Sequence, residues 1–154
     1  MSTAPYAVPA PPATVRTVLL PDDLAARPLL SLLPRGIATT SWVTTDEDGA
    51  ETGLVGWGEA ARGEFQGAER FSRAQRWWAT WTSEADVEDD VALPGSGPVA
   101  FASFAFDATP GSSVIVVPRV VVGRRDGVSW LTVVAGSPRE ARLAVAETLA
   151  ALHH

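Results

Sequence analysis

The sequence predicts an α+β fold, mostly antiparallel sheet with two main helices, and three features support this prediction. Residues 37–58 and 113–134 are rich in β-branched side chains and each stretch contains a turn signal, which is typical of β-hairpins. Residues 68–83 carry apolar side chains at helical spacing, and residues 137–152 begin with a helix-capping pattern. The length of 154 residues suits one domain, which can bury about 68–70% of the surface its unfolded chain exposes.

The first elements are a leader, a strand and a broken helix. Residues 1–14 are dominated by Pro and Ala and predict a disordered leader, without the cationic and apolar segments of a signal peptide. We expect the folded region to span residues 15–154. It begins with a short strand at 15–20 and a brief helix in 22–34, which breaks near Pro28.

The first hairpin is predicted from "IATTSWVTT" (37–45) and "ETGLVGWG" (51–58). The turn between them ends in Gly49, where a positive φ costs little. Gly53, Gly56 and Gly58 weaken strand propensity, so they indicate a bulge or a close backbone approach near the end of the second strand.

The helix predicted over 68–83 has an aromatic stripe. Its members recur at helical spacing, with Arg70, Arg73 and Arg76 mostly off the stripe: Phe71, Ala74, Trp78 and Trp81. Leu or Val would fill a core stripe equally well, so the tryptophans, Trp77 included, suggest a large partner surface, although a plain core helix is the favoured interpretation. The acidic run that follows (84–90) lacks the spacing of a calcium loop and predicts a solvated loop.

The second half of the chain predicts strands and a final helix. "PVAFASFAFD" (98–107) suits a strand covered on both faces. Residues 112–134 predict one long strand, an Asp126-Gly127 turn and a return strand, with an edge or a kink at Pro118. Ser137 and Glu140 form a predicted capping box, in which the carboxylate reaches back to the Ser137 amide, and the helix after it is apolar enough to require burial.

Composition excludes several kinds of chemistry. The net charge is −6 and all twelve cationic residues are Arg, so no basic surface for nucleic acid is expected. Lys and Cys are both absent, which removes amine bases, Schiff bases, thiolate nucleophiles and cysteine metal sites. The most apolar stretch, 114–122, is interrupted by Pro118 and Arg119 and is shorter than the roughly 20 residues of a membrane span. We expect a cytoplasmic protein with neither nucleic acid nor membrane as a partner.

No residue of the sequence qualifies as catalytic, cofactor-binding or metal-binding. His153 and His154 are adjacent and terminal, which predicts frayed, inert side chains or the remains of a tag. "GWG" (56–58) and "GSGP" (95–98) lack the spacing of nucleotide-binding loops. Three acidic pairs are expected to be solvated with ordinary pKa values: Asp22 with Asp23, Asp46 with Asp48, and Asp89 with Asp90.

Five further charged residues have more ordered settings. Glu59 and Asp107 close predicted strands and are expected to act as strand-end caps or turn residues rather than as functional acids. Arg119, Arg124 and Arg125 could present guanidinium groups to an anion, although a charge cluster at a strand turn is the favoured interpretation.

Three segments in this order carry a family resemblance: "GWGEAAR" (56–62), "GPVAFASFAFD" (97–107) and "SSVIVVPRVVVGRR" (112–125). They resemble the N-terminal region of isochorismate synthases, of the menaquinone-pathway type, within the chorismate-binding enzyme family. The likeness covers residues 54–134. It implies an enzyme that interconverts chorismate and isochorismate with Mg²⁺, in which a Lys activates water, a Glu acts as acid and further Glu residues hold the metal.

In that family the catalytic groups lie in a larger C-terminal region whose strand carries a "DKVVLAR"-like motif. This sequence has no Lys, so none of the family's catalytic or metal-binding residues can be placed on it. The resemblance therefore implies a segment that is inactive alone, from the menaquinone or a siderophore pathway, with a separately encoded catalytic region as a possible partner. The alternatives are an interaction module that uses its Trp-rich or C-terminal helix, and a small-molecule binder without catalysis. The DNA downstream of residue 154 discriminates between the inactive enzyme segment and the interaction module.

Overall fold

The computed structural model describes residues 12–104 and 113–154. The chain begins with β1 (Thr14–Leu19), α1 (Asp22–Ala25), a 3₁₀ helix (Leu29–Leu32), β2 (Thr39–Thr45), β3 (Glu51–Trp57) and β4 (Ala61–Phe65). It continues with α2 (Arg70–Glu84), β5 (Asp86–Asp89), β6 (Phe101–Ser103), β7 (Ser113–Val117), β8 (Val120–Arg125), β9 (Val128–Ala135) and α3 (Pro138–Leu152). Most of the predicted leader, residues 1–11, lies outside the described residues.

The described strands form two sheets, as the α+β prediction requires. The larger has the order β2-β3-β8-β9-β1-β5 and is antiparallel except for the parallel pair of β1 and β5. The smaller has the order β4-β7-β6 and is antiparallel. Sheets that are mostly antiparallel, together with the helices α2 and α3, confirm the fold class.

Helices cover both faces of the larger sheet. On one face α3, α1 and the 3₁₀ helix pack against buried side chains that include Leu131 and Val133. On the other face Val15 and Val134 contact Val117 of the smaller sheet and the tryptophans of α2. This alternation of neighbouring residues between two apolar layers explains why β9 is buried along almost its whole length.

The hairpin predictions are confirmed, and the long strand predicted from residue 112 is divided in two. β2 pairs with β3, and β8 pairs with β9 through a turn in which Asp126 (φ 51°) and Gly127 (φ 78°) are both left-handed. Pro118 separates β7 from β8, and the chain passes there from the smaller sheet to the larger one. The predicted kink at Pro118 is correct, because Pro has no amide hydrogen to continue the ladder.

The glycines of β3 adjoin this corner. A side chain at Gly56 would contact the ring of Pro118, and one at Gly58 (φ 72°) would approach Arg119 within 2.9 Å. The close backbone approach predicted for the end of the second strand is therefore confirmed.

The predictions for two neighbouring segments are wrong in part. The acidic run at 84–90 is mostly exposed to solvent, as predicted, but it is not a loop, because Asp86–Asp89 forms β5 against the open edge of β1, where Arg16 pairs with Glu88 and Asp90. The predicted two-faced strand at 98–107 contains only β6, whose residues are half-buried or exposed, because β6 is an outer strand of the smaller sheet. The rest of that prediction, from residue 105, lies outside the described residues.

The helix predictions hold in position and differ in detail. In α2, Arg70 is buried and Phe71 is 50% exposed, because the helix turns Ala74 and its tryptophans toward the core instead. In α3, Ser137 accepts a hydrogen bond from the Glu140 amide at 3.1 Å, whereas the Glu140 carboxylate accepts from Gly136 instead of Ser137. The outer face of α3 remains open, with Leu143 54% exposed.

Candidate functional site

The three arginines of the β8 region do not converge on one site. Arg119 is exposed at the corner after β7 and donates to the Glu59 carbonyl at 3.3 Å. Arg125 is exposed beside Asp126, with 3.9 Å between the nearest charged atoms. Arg124 alone turns inward. The preference for structural charges over an anion-binding cluster is consistent with this separation.

Arg124 holds the segment after α1 against the larger sheet. Its Nη1 donates to Oε1 of Glu51 at 2.7 Å, and its Nε donates to Oγ of Ser129 at 2.7 Å. Its Nη2 donates to the carbonyls of Ala25 and Arg27, each at 2.8 Å. Every nitrogen of the guanidinium group therefore has a protein partner, which leaves no fork directed at a ligand.

Glu51 completes this contact from the neighbouring strand. Its Oε1 also accepts from the amide of Leu29, at 3.1 Å, at the start of the 3₁₀ helix. The side chains of Arg124 and Glu51 are only 11% and 20% exposed. The pair fixes the path of residues 25–29.

Of the two acids predicted to close strands, Glu59 and Asp107, the structure describes only Glu59. Glu59 pairs with Arg62 at 3.1 Å on the surface, and hydrogen bonds from Arg62 to Glu59 and Glu64 raise the pKa of the Arg62 guanidinium. Glu59 therefore has a surface ion-pair role. Asp107 lies outside the described residues.

Two members of the acidic pairs, Asp46 and Asp89, bind backbone amides, and Asp89 departs from the prediction. Asp46 accepts from the amides of Asp48 and Ala50 in the turn of the first hairpin. Although partial burial raises the pKa of Asp89, hydrogen bonds from Ser96, Ala92 and Val91 outweigh it and hold the pKa below its usual range. The prediction of an ordinary pKa is wrong for Asp89 because its carboxylate organises a loop.

That loop contains the predicted "GSGP" segment. The Ser96 hydroxyl lies 2.6 Å from Oδ2 of Asp89, and the Gly97 amide donates to the Thr17 hydroxyl at 3.1 Å. The Thr17 hydroxyl is also bonded to that of Thr132, at 2.6 Å, inside the larger sheet. The glycines here let the loop pack on the sheet, and the polar groups bind one another.

The side chain of His153, the first of the two C-terminal histidines, contacts both α1 and α3. The Nε2 of His153 lies 2.7 Å from Asp23 and its Nδ1 lies 2.8 Å from the Leu149 carbonyl. The prediction of a frayed, inert His153 is therefore wrong, because these contacts connect the end of α3 to α1. Within residues 12–104 and 113–154, no three His, Asp or Glu side chains converge as a metal site would require.

Among the concave surfaces of residues 12–104 and 113–154, two lie beside helices and could receive a ligand or a partner. The first, of about 360 Å³, lies between the 3₁₀ helix and the end of α3, with Arg27, Trp57, Glu147 and His154 among its lining residues. The second, of about 440 Å³, runs along α2 and is open. It is lined by Phe65, Trp77 and Trp81 with the polar residues Arg73, Arg76, Thr80 and Glu84. The first surface therefore carries a cation, a carboxylate and an imidazole, and the second carries two cations and a carboxylate.

The tryptophans of α2 pack mainly into the core. Trp78 and Trp81 stack with their ring centroids 5.7 Å apart, and Trp77 and Phe65 pack edge to face with their ring centroids 6.3 Å apart. All three tryptophans contact the buried layer between the two sheets. The core-helix interpretation is correct for their inner surfaces, while Trp77 and Trp81 also line the open groove.

Comparison with known proteins identifies the family. The family model described as "Chorismate binding enzyme" matches residues 30–152, which run from the 3₁₀ helix to the end of α3. The chain belongs to the chorismate-binding enzyme family. No curated protein and no solved structure matched the chain. In the described part of the chain, no helix has the length and hydropathy required to cross a membrane.

Proposed function

We propose that this chain is the N-terminal region of an isochorismate synthase and that it does not catalyse the reaction alone. The family match over residues 30–152 carries this proposal. The finer assignment rests on the resemblance of "GWGEAAR" and "SSVIVVPRVVVGRR", which fall at the end of β3, in β4 and in β7–β8. The pathway is that of menaquinone or a siderophore.

The placement of charged groups supports a scaffold role. Water addition to a dianionic substrate needs a base, an acid and groups that neutralise two carboxylates. The guanidinium group of Arg124 is engaged by Glu51, Ser129 and two carbonyls. The sequence has no Lys to take the part that the family resemblance gives to a lysine base. Mg²⁺ would then be held by acidic residues of a catalytic region and not by this chain.

Reconstitution tests the proposal. The purified chain is mixed with a separately expressed, Lys-containing catalytic region of a menaquinone-type isochorismate synthase, and isochorismate is measured by chromatography with chorismate and Mg²⁺. We expect product from the mixture at a rate above that of either component. A mixture no more active than the catalytic region alone contradicts the assignment to this enzyme.

The open groove along α2 favours a second candidate, an interaction module. Trp77 and Trp81 combine apolar area with neighbouring cations, which is a composition common in protein interfaces. Trp81→Ala on α2 and Leu143→Ala on α3, where the parent Leu143 is exposed, distinguish the two helices as binding surfaces. If the module interpretation holds, only one of these variants weakens binding to the partner. Equal binding by both variants and the parent chain contradicts it.

A further inference from the structure

The two outer strands of the larger sheet differ in charge: β5 is acidic and β2 is uncharged. β5 reads Asp-Val-Glu-Asp, and Arg16 of β1 pairs with its Glu88 at 3.1 Å. Charged side chains of this kind prevent further strands from pairing with an open edge. β2, at the other end of the sheet, reads Thr-Thr-Ser-Trp-Val-Thr-Thr and carries neither a charge nor a proline. Among the described residues, charged side chains protect the β5 edge of the sheet and not the β2 edge.

The outer edge of β2 presents unpaired backbone groups. In the described residues, β2 pairs with β3 only. The Asp46 amide donates to the Ala50 carbonyl at 3.0 Å, which makes this a hydrogen-bonded pair of the ladder. Because such pairs alternate along antiparallel strands, the amide and carbonyl groups of every second residue point away from β3. These residues are Thr39, Ser41, Val43 and Thr45.

We propose that β2 pairs antiparallel with β2 of a second copy of this chain, about a two-fold axis at Trp42. Trp42 is the central residue of the strand, so this register pairs its full length. Ser41 then faces Val43 of the second copy, and Thr39 faces Thr45. Each outward residue is opposite another outward residue, so every outward amide and carbonyl of the strand gains a partner. A slip of one residue would set outward residues against inward ones and lose these bonds.

The side chains are compatible with the same axis. Trp42 is 57% exposed, although it is the largest side chain of the strand. At the axis it lies opposite its own copy in a non-hydrogen-bonded position, where the Cα atoms approach to about 4.5 Å and side chains are closest. Aromatic pairs and threonine pairs both stabilise neighbouring antiparallel strands. In this dimer, the second copy therefore covers the exposed side chain of Trp42.

Charge selects the antiparallel orientation. β2 is followed by the acidic turn Asp46, Glu47 and Asp48, and is preceded by Arg35. Antiparallel pairing brings each acidic turn toward the Arg35 end of the other copy, whereas parallel pairing would bring two acidic turns together. The net charge of −6 on each copy still opposes association, so added salt strengthens the dimer by screening that repulsion.

Sedimentation of the full 154-residue chain tests the association. An interface of one strand edge is small, so the concentration range should extend from about 10 µM to about 1 mM. Trp42→Lys places two like charges face to face at the axis. Val87→Lys makes the same charge change on β5, where the parent side chain is 42% exposed. We expect Trp42→Lys to weaken dimerisation at least tenfold and Val87→Lys to leave it within twofold of the parent, with circular dichroism showing that both variants are folded.

Disulfide trapping tests the register. The chain has no Cys, so a single substitution supplies the only thiol. Trp42→Cys places two thiols at the axis, within disulfide range. Thr44→Cys, on the same face of β2, places them four residues apart, or about 13 Å, which is too far to bridge. We expect oxidation to cross-link the first variant much faster than the second.

Three outcomes overturn the proposal. One is a monomer at every concentration in low and high salt, which would leave a strand of a different polypeptide as the occupant of the edge. Another is a dimer that Trp42→Lys does not weaken, because its interface would lie elsewhere. The third is equal cross-linking of Trp42→Cys and Thr44→Cys, because the two-fold axis would not pass through Trp42.

Discussion

Replacing Arg124 with Met removes the contact that holds residues 25–29 against the larger sheet while keeping much of the apolar stem. The change leaves the Glu51 carboxylate without its cation, and the carbonyls of Ala25 and Arg27 lose the donor they share. Because both charged side chains are largely shielded from water, at 11% and 20% exposure, solvent replaces these bonds incompletely. The variant should fold and be less stable than the parent.

The expected loss is about 2–4 kcal/mol. Breaking a fully buried ion pair costs about 3–5 kcal/mol, and a hydrogen bond to a charged group contributes about 1.5–3 kcal/mol. We place the value below the upper limit because Glu51 retains some water and still accepts from the Leu29 amide. Arg125→Met is the matched control: its partner Asp126 is 3.9 Å away and mostly exposed, so the loss should stay below about 0.5 kcal/mol.

Urea unfolding followed by tryptophan fluorescence measures both values, and the six Trp residues supply the signal. The double variant Glu51→Gln/Arg124→Met should be less destabilised than the sum of the single variants, by about 1–2 kcal/mol, because the uncompensated carboxylate is gone. A loss below about 1 kcal/mol in Arg124→Met, or equal losses in the two Arg variants, would refute the structural role assigned to Arg124.

Three further changes test other parts of the fold. Gly123→Ala should cost about 1–3 kcal/mol of unfolding free energy, or more, because the added methyl group would collide with the buried indole of Trp130; a thermal melt unchanged from the parent contradicts that packing. Ser137→Ala should cost about 1 kcal/mol through loss of the α3 cap, and Ser83→Ala, near the end of α2, should cost less in the same denaturation experiment. Because the folded pKa of Asp89 is lowered, its carboxylate stabilises the fold above the unfolded value of about 3.9 and loses this effect as the pH falls through the folded pKa. Asp89→Asn should therefore be less stable than the parent at pH 7, with the difference narrowing below about pH 4; a difference independent of pH contradicts the assignment.

The hairpins were predictable because their signals are local. β-branched runs flank turn residues in both hairpins, and the Asp126-Gly127 turn has the left-handed backbone that its sequence favours. The cap of α3 was predictable for the same reason, since Ser137 and Glu140 are only three residues apart. Only the second half of that motif differs, because the carboxylate accepts from Gly136.

The failures arose where tertiary pairing decides the outcome. Acidic residues have low strand propensity, yet Asp86–Asp89 forms a strand because β1 offers it an open edge and Arg16 offers it a cation. The alternating "PVAFASFAFD" pattern predicts a covered strand, but its described residues occupy the outer position of the smaller sheet. Burial depends on which elements lie on either side, and a local pattern does not contain that information.

For the charged residues, too, the sequence indicated what depends on local pattern and not what depends on distant contacts. The sequence indicated that Arg124 belongs to a structural cluster but not which groups it binds, because Glu51 and Ala25 lie 73 and 99 residues away along the chain. The contact between His153 and Asp23 joins the two ends of the described fold and has no local signal. The uncharged sequence of β2 was visible beforehand, but its place at the edge of the sheet depends on the strand order.

The scaffold role is tested most directly by assaying the purified 154-residue chain alone with chorismate and Mg²⁺. Chromatography of the reaction mixture over a range of protein concentrations would detect isochorismate. We predict no product above a protein-free blank, because the chain has no Lys and the charged groups of Arg124, Glu51 and Asp89 are bound by other protein groups. Isochorismate that accumulates in proportion to the chain, and that is lost when Mg²⁺ is chelated, would contradict the account.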